Sequence, residues 1–524
     1  MKILLVGKET YMYPFYYLIE QWSEKNDLAV FWVNPLESEF DECDLNSSTY
    51  YAFQRQGKTK TYTLKDASEK FTAKLDEKID VEKIKEIEKK YSFYKNINCQ
   101  IISDQGMTGH YHYRTMNVPV TYEQQLLWIE CLYGNIEEIL DDFVPDVIYD
   151  CDIAELPRTV LNEVAHARGV PYISIAYPKY EMYKIPSYTL SLGIEEYLKA
   201  EYVKCLEADN VDEKSYVMEF RNKSSIKNEM YMVKGNTTYD YSGEPLIDTL
   251  KSIYGRAVYF WKQDRSKKNK RLKKENPILF VNSMKYMRFW IKTRMYRRKL
   301  YKSKDFFEDP VEGEAYVYMP LHLIPESTTF SMAPFWINEL TAIELVSKSL
   351  PAGWRLYVKE HQAMLGERGE DFYNKVKKIP NVRLVRFNYY NDPKPWMEKA
   401  KAVVTITGTA AYEAALLGKP SFVFADVPFS LIKGVTKINC IEDLPELLHD
   451  VTEIDNLEEA AAYIKAVKNV GVPINLNYIM NSAYDNLTQG TELQPAFYDE
   501  IEKLRYFFER SYERISDKQK EVTR

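Results

Sequence analysis

A chain of 524 residues that is 45% hydrophobic and 28% charged is too long for one hydrophobic core and too apolar for wholesale disorder. Its 19 Gly and 23 Pro exclude a collagen-like or linker-dominated chain, and a formal charge of −7 argues against a general nucleic-acid coat. The charge is uneven: Lys262 to Lys304 holds 17 Lys and Arg against Asp264 and Glu275, a local +15 that leaves −22 elsewhere. Such asymmetry marks a patch for an anionic partner.

The first fifty residues read as strand, helix, strand: apolar Lys2–Val6, helical spacing over Tyr13–Trp22, and apolar Leu28–Val33. This opens a parallel α/β sheet. Gly7 stands without a GxGxxG run, so no dinucleotide site is assigned. Residues 64–96 are a charged helical stretch, followed by an expected strand at Cys99–Ser103 and a polar aromatic loop through His110, His112 and Arg114. A long helix is predicted over Glu123–Phe143. A β-α-β unit then runs through strand Asp146–Tyr149, helix Arg158–Arg168 and strand Tyr172–Ile175. Pro157 and Gly169 supply that helix's start and stop chemistry.

Residues 187–310 differ in kind: mostly helical, tyrosine-rich and finally basic, with one expected strand at Ile278–Val281. A second α/β pattern has strands at Ala315–Met319, Arg355–Val358, Val382–Val385, Ala402–Ile406 and Ser421–Phe424. The expected fold is α/β, with two Rossmann-like domains facing a cleft and a helical insertion. The expected division is 1–186, a helical basic insertion at 187–310, a second α/β domain at 311–490, and a helix at 491–524 that crosses back. Six dispersed cysteines carry no CxxC or zinc-ligand spacing, and no apolar run reaches the ~18 residues of a membrane span. A cytoplasmic protein with reduced thiols is expected, the basic 262–304 segment being a candidate contact with an anionic membrane surface on the inner face of the plasma membrane.

Four segments of the second domain leave polar groups at the C-terminal ends of strands, where parallel sheets bind ligands. They hold His322 and Glu326, then Lys359 and His361, then Thr407, Gly408, Thr409 and Glu413, and finally Asp426. The turn Thr407-Gly408-Thr409 into a helix is a phosphate candidate, because helix N-termini offer unpaired N–H groups. Glu413, one turn on, is placed to accept from a ribose hydroxyl. Taken singly, each of these has an ordinary structural explanation; their convergence on one sheet edge favours a site. In the first domain, Asp150, Asp152 and Glu155 follow a strand on the loop that would face the cleft. They are the candidates for base or nucleophile in a group transfer. Asp150-Cys151-Asp152 spells DxD, but three-residue patterns are common by chance and no metal is assigned.

The runs PLHLIPEST, RLYVKEH, NVRLV and VVTITGTAAYEAALLGKPSFVF, in that order, resemble the capsule polysaccharide biosynthesis family. That family includes the bacterial β-Kdo transferases of capsule and O-antigen assembly. The resemblance covers roughly residues 315–445, and Gln362 departs from it where a proline usually follows the histidine. It implies a GT-B glycosyltransferase taking a nucleotide sugar, commonly CMP-Kdo, as substrate with no separate cofactor, and passing the sugar to a glycan or lipid-linked acceptor. It also implies donor-binding roles for His322, Glu326, Lys359, His361, Gly408, Thr409 and Glu413. Two other readings stand beside it: a non-hydrolysing nucleotide-sugar epimerase of the same architecture, and a nucleotide-sugar-binding assembly protein without catalysis. A nucleic-acid partner is not expected, since no recognised module accompanies the basic run.

Overall fold

The computed structural model describes residues 1–34, 45–104, 107, 120–152, 155–226, 246–303, 306–324, 326–390 and 392–522. Two sheets organise them. In the first, apolar runs form β1 (Lys2–Gly7), β2 (Asp27–Trp32), β3 (Lys60–Tyr62), β4 (Val147–Tyr149) and β5 (Tyr172–Ala176). These pair in parallel in the order β5-β4-β1-β2-β3. β6 (Tyr183–Ser187) adds antiparallel to β5. The second sheet joins β7 (Tyr316–Pro320), β8 (Arg355–Lys359), β9 (Val382–Val385), β10 (Ala402–Thr405), β11 (Ser421–Val423) and β12 (Val435–Lys437). Its order, β12-β11-β10-β7-β8-β9, is parallel throughout. Strands buried on both faces need continuous apolar runs, and Leu4, Leu5, Val30, Val317, Val358 and Val404 are all fully buried.

The chain returns to the first sheet earlier than residue 491. β13 (Val472–Pro473) pairs antiparallel with β6, and helices Leu476–Gln489 and Pro495–Val522 pack on the first domain. Phe497, Ile501, Leu504, Phe507 and Phe508 are each at most 2% exposed there. Burying each such side chain contributes about 1.5–3 kcal/mol, so this return is an integral layer of the first core.

Residues 187–310 are not one insertion. Leu198, Tyr202, Cys205 and Val217, on helices Glu196–Leu206 and Val211–Asn222, share a core with Ala411, Tyr412 and Tyr463 of the second domain. Helices Leu246–Arg265, Lys267–Glu275 and Ser283–Lys302 form the basic helical run, tied to the first domain by Arg271–Glu69 and to the second domain's core by Leu300. The expected strand at Ile278–Val281 is a turn ending in a single bridge residue, Val281. The expected strand at Cys99–Ser103 is part of a helix, Ile97–Ser103, whose N-cap Asn96 accepts the Asn98 N–H. There the local cap outweighs a run short enough to read either way. Among the described residues no helix is long and apolar enough to cross a membrane.

Candidate functional site

The C-terminal ends of β7, β8 and β10 deliver His322, Lys359 and the Thr407-Gly408-Thr409 turn to one edge of the second sheet. His322 is buried. Its Nε2 lies 3.3 Å from the Thr407 backbone nitrogen and 3.2 Å from Thr405 Oγ1. A backbone N–H can only donate, so Nε2 is the acceptor and Nδ1 carries the proton toward Glu339 Oε1, 3.2 Å away. Glu339 also accepts the His322 backbone N–H at 2.7 Å and pairs with Arg368. Arg368 reaches Glu360 at 3.0 Å, and Glu360 accepts from Tyr373 at 2.7 Å. A buried, ion-paired network of this kind rigidifies what it holds. Here it holds the turn.

Gly408 caps helix Thr409–Leu416. A Cβ at this position would lie 2.5 Å from Thr405 Oγ1 and 3.2 Å from His322 Nε2, so only glycine brings the backbone this close to the histidine. Thr409, the first helical residue, is exposed at the open end. His361 is largely buried; its Nδ1 accepts the Ala363 N–H at 3.3 Å. Burial, with Lys359 and Arg368 adding to it, pushes His361 down to about 4. It is therefore a neutral hydrogen-bonding group at neutral pH.

Three further groups complete the edge. Lys359, pushed down to about 8 by burial, feels the opposing pull of Glu360, Glu413 and Asp392. Glu413 is pushed up to about 7 by burial and by Asp392, against Lys179 and Lys359. Lys179, beyond the end of β5 in the first domain, is lowered by burial while Glu326 and Glu413 of the second domain oppose the shift. Charges of the second domain thus act on Lys179. Neither lysine makes an ion pair or a side-chain hydrogen bond among the described residues, and neither does Glu413. Glu326 itself is exposed, its carbonyl starting the short helix Ser327–Phe330. Lys179 escapes sequence inspection because nothing in PKYEM marks it. Its signals are its place just past a strand's C-terminal end and a φ of 71°, an uncommon value for a non-glycine residue.

The first-domain carboxylates separate by environment. Asp150 has no exposed surface; its Oδ2 accepts from Tyr172 at 2.6 Å and pairs with Arg158 Nε at 3.0 Å. It holds Arg158 in place and does not face the cleft. Burial nevertheless pushes Asp150 up to about 6, with Arg158 opposing. Asp152 keeps some exposure, with Arg158 Nη1 3.4 Å away. Both carboxylates of the Asp-Cys-Asp triplet therefore close on one arginine. Asp152 and Glu326, from opposite domains, both raise Tyr11, after the larger effect of burial. Glu155 pairs with Lys8 and has a φ of 89°, a strained conformation of the sort that clusters at functional sites. The aromatic loop from His110 to Arg114 lies outside the described residues.

The basic run divides as well. Arg297 donates to Leu365 O at 2.6 Å and pairs with Glu367 at 3.0 Å, and Lys299 pairs with Glu370 at 3.2 Å, so part of helix Ser283–Lys302 is neutralised internally. Lys262, Lys267, Lys270, Lys273 and Lys274 are exposed. Beside them, helix Leu246–Arg265 exposes Ile247, Leu250, Tyr254 and Trp261 by 55–73%.

No family model matches the chain, and no curated protein matches its sequence. Solved structures resemble it at low identity. The beta Kdo 2,4 transferase KpsC of Thermosulfurimonas dismutans is 11% identical, covering 65% of this chain and 87% of that one, with a TM-score of 0.29. The UDP-GlcNAc 2-epimerase of Neisseria meningitidis, bound to UDP-GlcNAc, is 11% identical over 90% and 99%, with a TM-score of 0.26. The UDP-GlcNAc 2-epimerase of Methanocaldococcus jannaschii is 9% identical over 89% and 99%, with a TM-score of 0.22. TM-scores this low leave the chemistry of the site to its own residues.

Proposed function

We propose that the protein is a glycosyltransferase of bacterial surface-polysaccharide assembly, taking a nucleotide sugar on the second domain and an acceptor on the first. The observation that carries this reading is that Lys359 and Lys179, from the two domains, make no ion pair among the described residues while both feel the charge of Glu413 in the helix that Gly408 caps. A diphosphate or phosphodiester would supply the missing anion to both, with the backbone N–H groups of helix Thr409–Leu416 as further donors. Glu413, ionised, would accept from a ribose hydroxyl. The motif resemblance makes CMP-Kdo the first donor to try. Asp152 and Glu155, both partly exposed on the acceptor side, are the groups for deprotonating an acceptor hydroxyl or for attacking the sugar. The exposed apolar stripe and lysines of residues 246–274 would rest on an anionic membrane surface.

The test is a thermal-shift screen across CMP, UDP, GDP and their sugars, followed by product analysis. A ligand at ~100 times its dissociation constant raises stability by about 2.7 kcal/mol. A stabilising nucleotide lost in both Lys359→Ala and Lys179→Ala, with sugar transfer to an added acceptor, is the expected result. Stabilisation by none of these nucleotides would overturn the reading. Epimerised donor formed with no acceptor present would move the chain to the epimerase reading.

A further inference from the structure

Lys179 sits in the loop between β5 and β6, and that loop is fixed on both sides of it. The Pro178 carbonyl accepts the Tyr463 hydroxyl at 2.8 Å in a buried hydrogen bond. Tyr180 is buried, its ring 5.1 Å from that of Tyr216. Met182 O closes the loop, accepting Lys184 Nζ at 2.8 Å and the Ile474 N–H at 3.1 Å. Between these anchors two non-glycine residues take left-handed backbone, Lys179 at φ 71° and Glu181 at φ 42°. Such a conformation persists only where its surroundings over-determine it.

Tyr463 is the anchor that bears on Lys179 directly. The carbonyl it binds belongs to the Pro178–Lys179 peptide, the rigid plane against which the φ of Lys179 turns. Without that bond the plane is free to rotate and the lysine to return to an ordinary negative φ. Tyr463 lies on helix Leu457–Val470, fully buried in one core with Tyr180, Ile185, Ala411 and Tyr412. Tyr412 precedes Glu413 on helix Thr409–Leu416. A hydroxyl of the second domain thus ties the first domain's lysine to the body that carries Glu413, whose charge acts on it. From this we infer that Tyr463 is a positioning residue, holding the Lys179 ammonium through Pro178 where a nucleotide's phosphate is bound. This role rests on the nucleotide-sugar reading of the edge and adds to it a residue that touches no substrate.

The experiment titrates the full chain with CMP, UDP and GDP by calorimetry, in the native protein, Tyr463→Phe, Lys179→Ala, the double variant and Tyr412→Phe. Tyr463→Phe keeps the ring and its packing, so the fold is retained. Tyr412→Phe is the control: its hydroxyl, in the same core, has no hydrogen-bond partner among the described residues. Tyr463→Phe should weaken the bound nucleotide about tenfold, the scale of a hydrogen bond to a charged group, and Tyr412→Phe should leave it unchanged. Lys179→Ala should weaken it at least as much. Adding Tyr463→Phe to Lys179→Ala should then cost nothing further, because no ammonium is left to place. A tyrosine that only supports the fold would weaken binding equally in both backgrounds. Native affinity in Tyr463→Phe, an equal loss in Tyr412→Phe, or additive losses in the double variant would each overturn the inference. Failure of the nucleotide-sugar reading looks different: the native protein binds none of the three nucleotides, and the positioning role falls with it.

Discussion

The imidazole Nε2 of His322 lies 3.3 Å from the backbone nitrogen of Thr407, tying the end of β7 to the turn that follows β10. Because Nε2 is occupied as an acceptor and Nδ1 faces Glu339, the ring's polar atoms serve the turn. His322→Ala leaves the Thr407 N–H buried without a partner and removes one ligand of Glu339. An unsatisfied buried group costs about 1–3 kcal/mol. The expected outcome is a loss of that size in denaturant unfolding, with nucleotide affinity at least tenfold weaker by calorimetry. Unchanged affinity in a folded His322→Ala protein would show that the turn does not depend on the ring.

Gly408 is the tighter constraint. A methyl group there meets Thr405 Oγ1 at 2.5 Å, a distance real Cβ contacts do not adopt. Gly408→Ala must shift the turn or the histidine, and overpacking of this sort costs typically 1–3 kcal/mol. Thr405→Ala removes the nearest atom. The double variant should therefore recover part of the stability lost in Gly408→Ala, as a double-mutant cycle would measure. Equal loss in the single and double variants would place the strain elsewhere.

Glu413 gives a pH signature. Its carboxyl is raised to about 7, mainly by burial, from an ordinary 4.5. A raised acid favours the protonated form in the folded state. The native protein is thus penalised increasingly as pH rises through that range, and is unpenalised below the ordinary carboxylate range. Glu413→Gln should accordingly stabilise the ligand-free protein by about 1–3 kcal/mol at pH 8.5 and change it little at pH 4. Stability difference against pH is the measurement, and a flat difference would remove the shift. With nucleotide present the sign reverses if the carboxylate accepts a ribose hydroxyl: Glu413→Gln then binds more weakly above pH 7.

The groups read from sequence fall into two kinds. Lys359, Gly408 and Glu413 could be found because parallel sheets carry chemistry at strand ends, and each stands just past an apolar run. Their supports could not. Glu339 and Arg368 sit on separate segments, and nothing local says that both will reach His322. Lys179 is hidden for the same reason, since the charges that act on it, Glu326 and Glu413, come from the other domain. The domain limits failed where packing is non-local. Helices 196–222 read as part of an insertion, but their apolar faces are spent on helix Leu457–Val470 of the second domain.

Arg158 and Asp152 separate structure from chemistry. Arg158 has no exposed surface in its side chain, nor has Asp150 beside it. Arg158→Met would leave Asp150 buried and unpaired, which costs roughly 3–5 kcal/mol. Asp152→Asn and Glu155→Gln change partly exposed groups and should cost little stability. Both should keep nucleotide binding, and at least one should lower sugar transfer by a hundredfold or more, the scale of a lost general base. Full transfer in both would move the base to another group of the cleft.

The membrane surface is tested by vesicle sedimentation, at residues the fold selects. Within helix Leu246–Arg265, Ile247, Leu250, Tyr254 and Trp261 fall within ~60° of one another at 3.6 residues per turn. All four are more than half exposed. Arg265 lies 4.0 Å over the Trp261 ring, and the next helix, Lys267–Glu275, exposes Lys267, Lys270, Lys273 and Lys274. An apolar stripe continued by lysines suits an anionic interface, each basic residue contributing about 1 kcal/mol near it. Arg297 is excluded from this surface because its guanidinium holds the 363–367 loop. Binding is therefore expected to phosphatidylglycerol-containing vesicles and not to phosphatidylcholine vesicles. It should fall with added salt and disappear in a variant carrying Lys267→Glu, Lys270→Glu, Lys273→Glu and Lys274→Glu. Tyr254→Ser with Trp261→Ser should weaken it without altering its salt dependence, since the apolar contribution is not screened. Equal sedimentation by the lysine variant, or none by the native protein at low salt, would leave these helices without a membrane role.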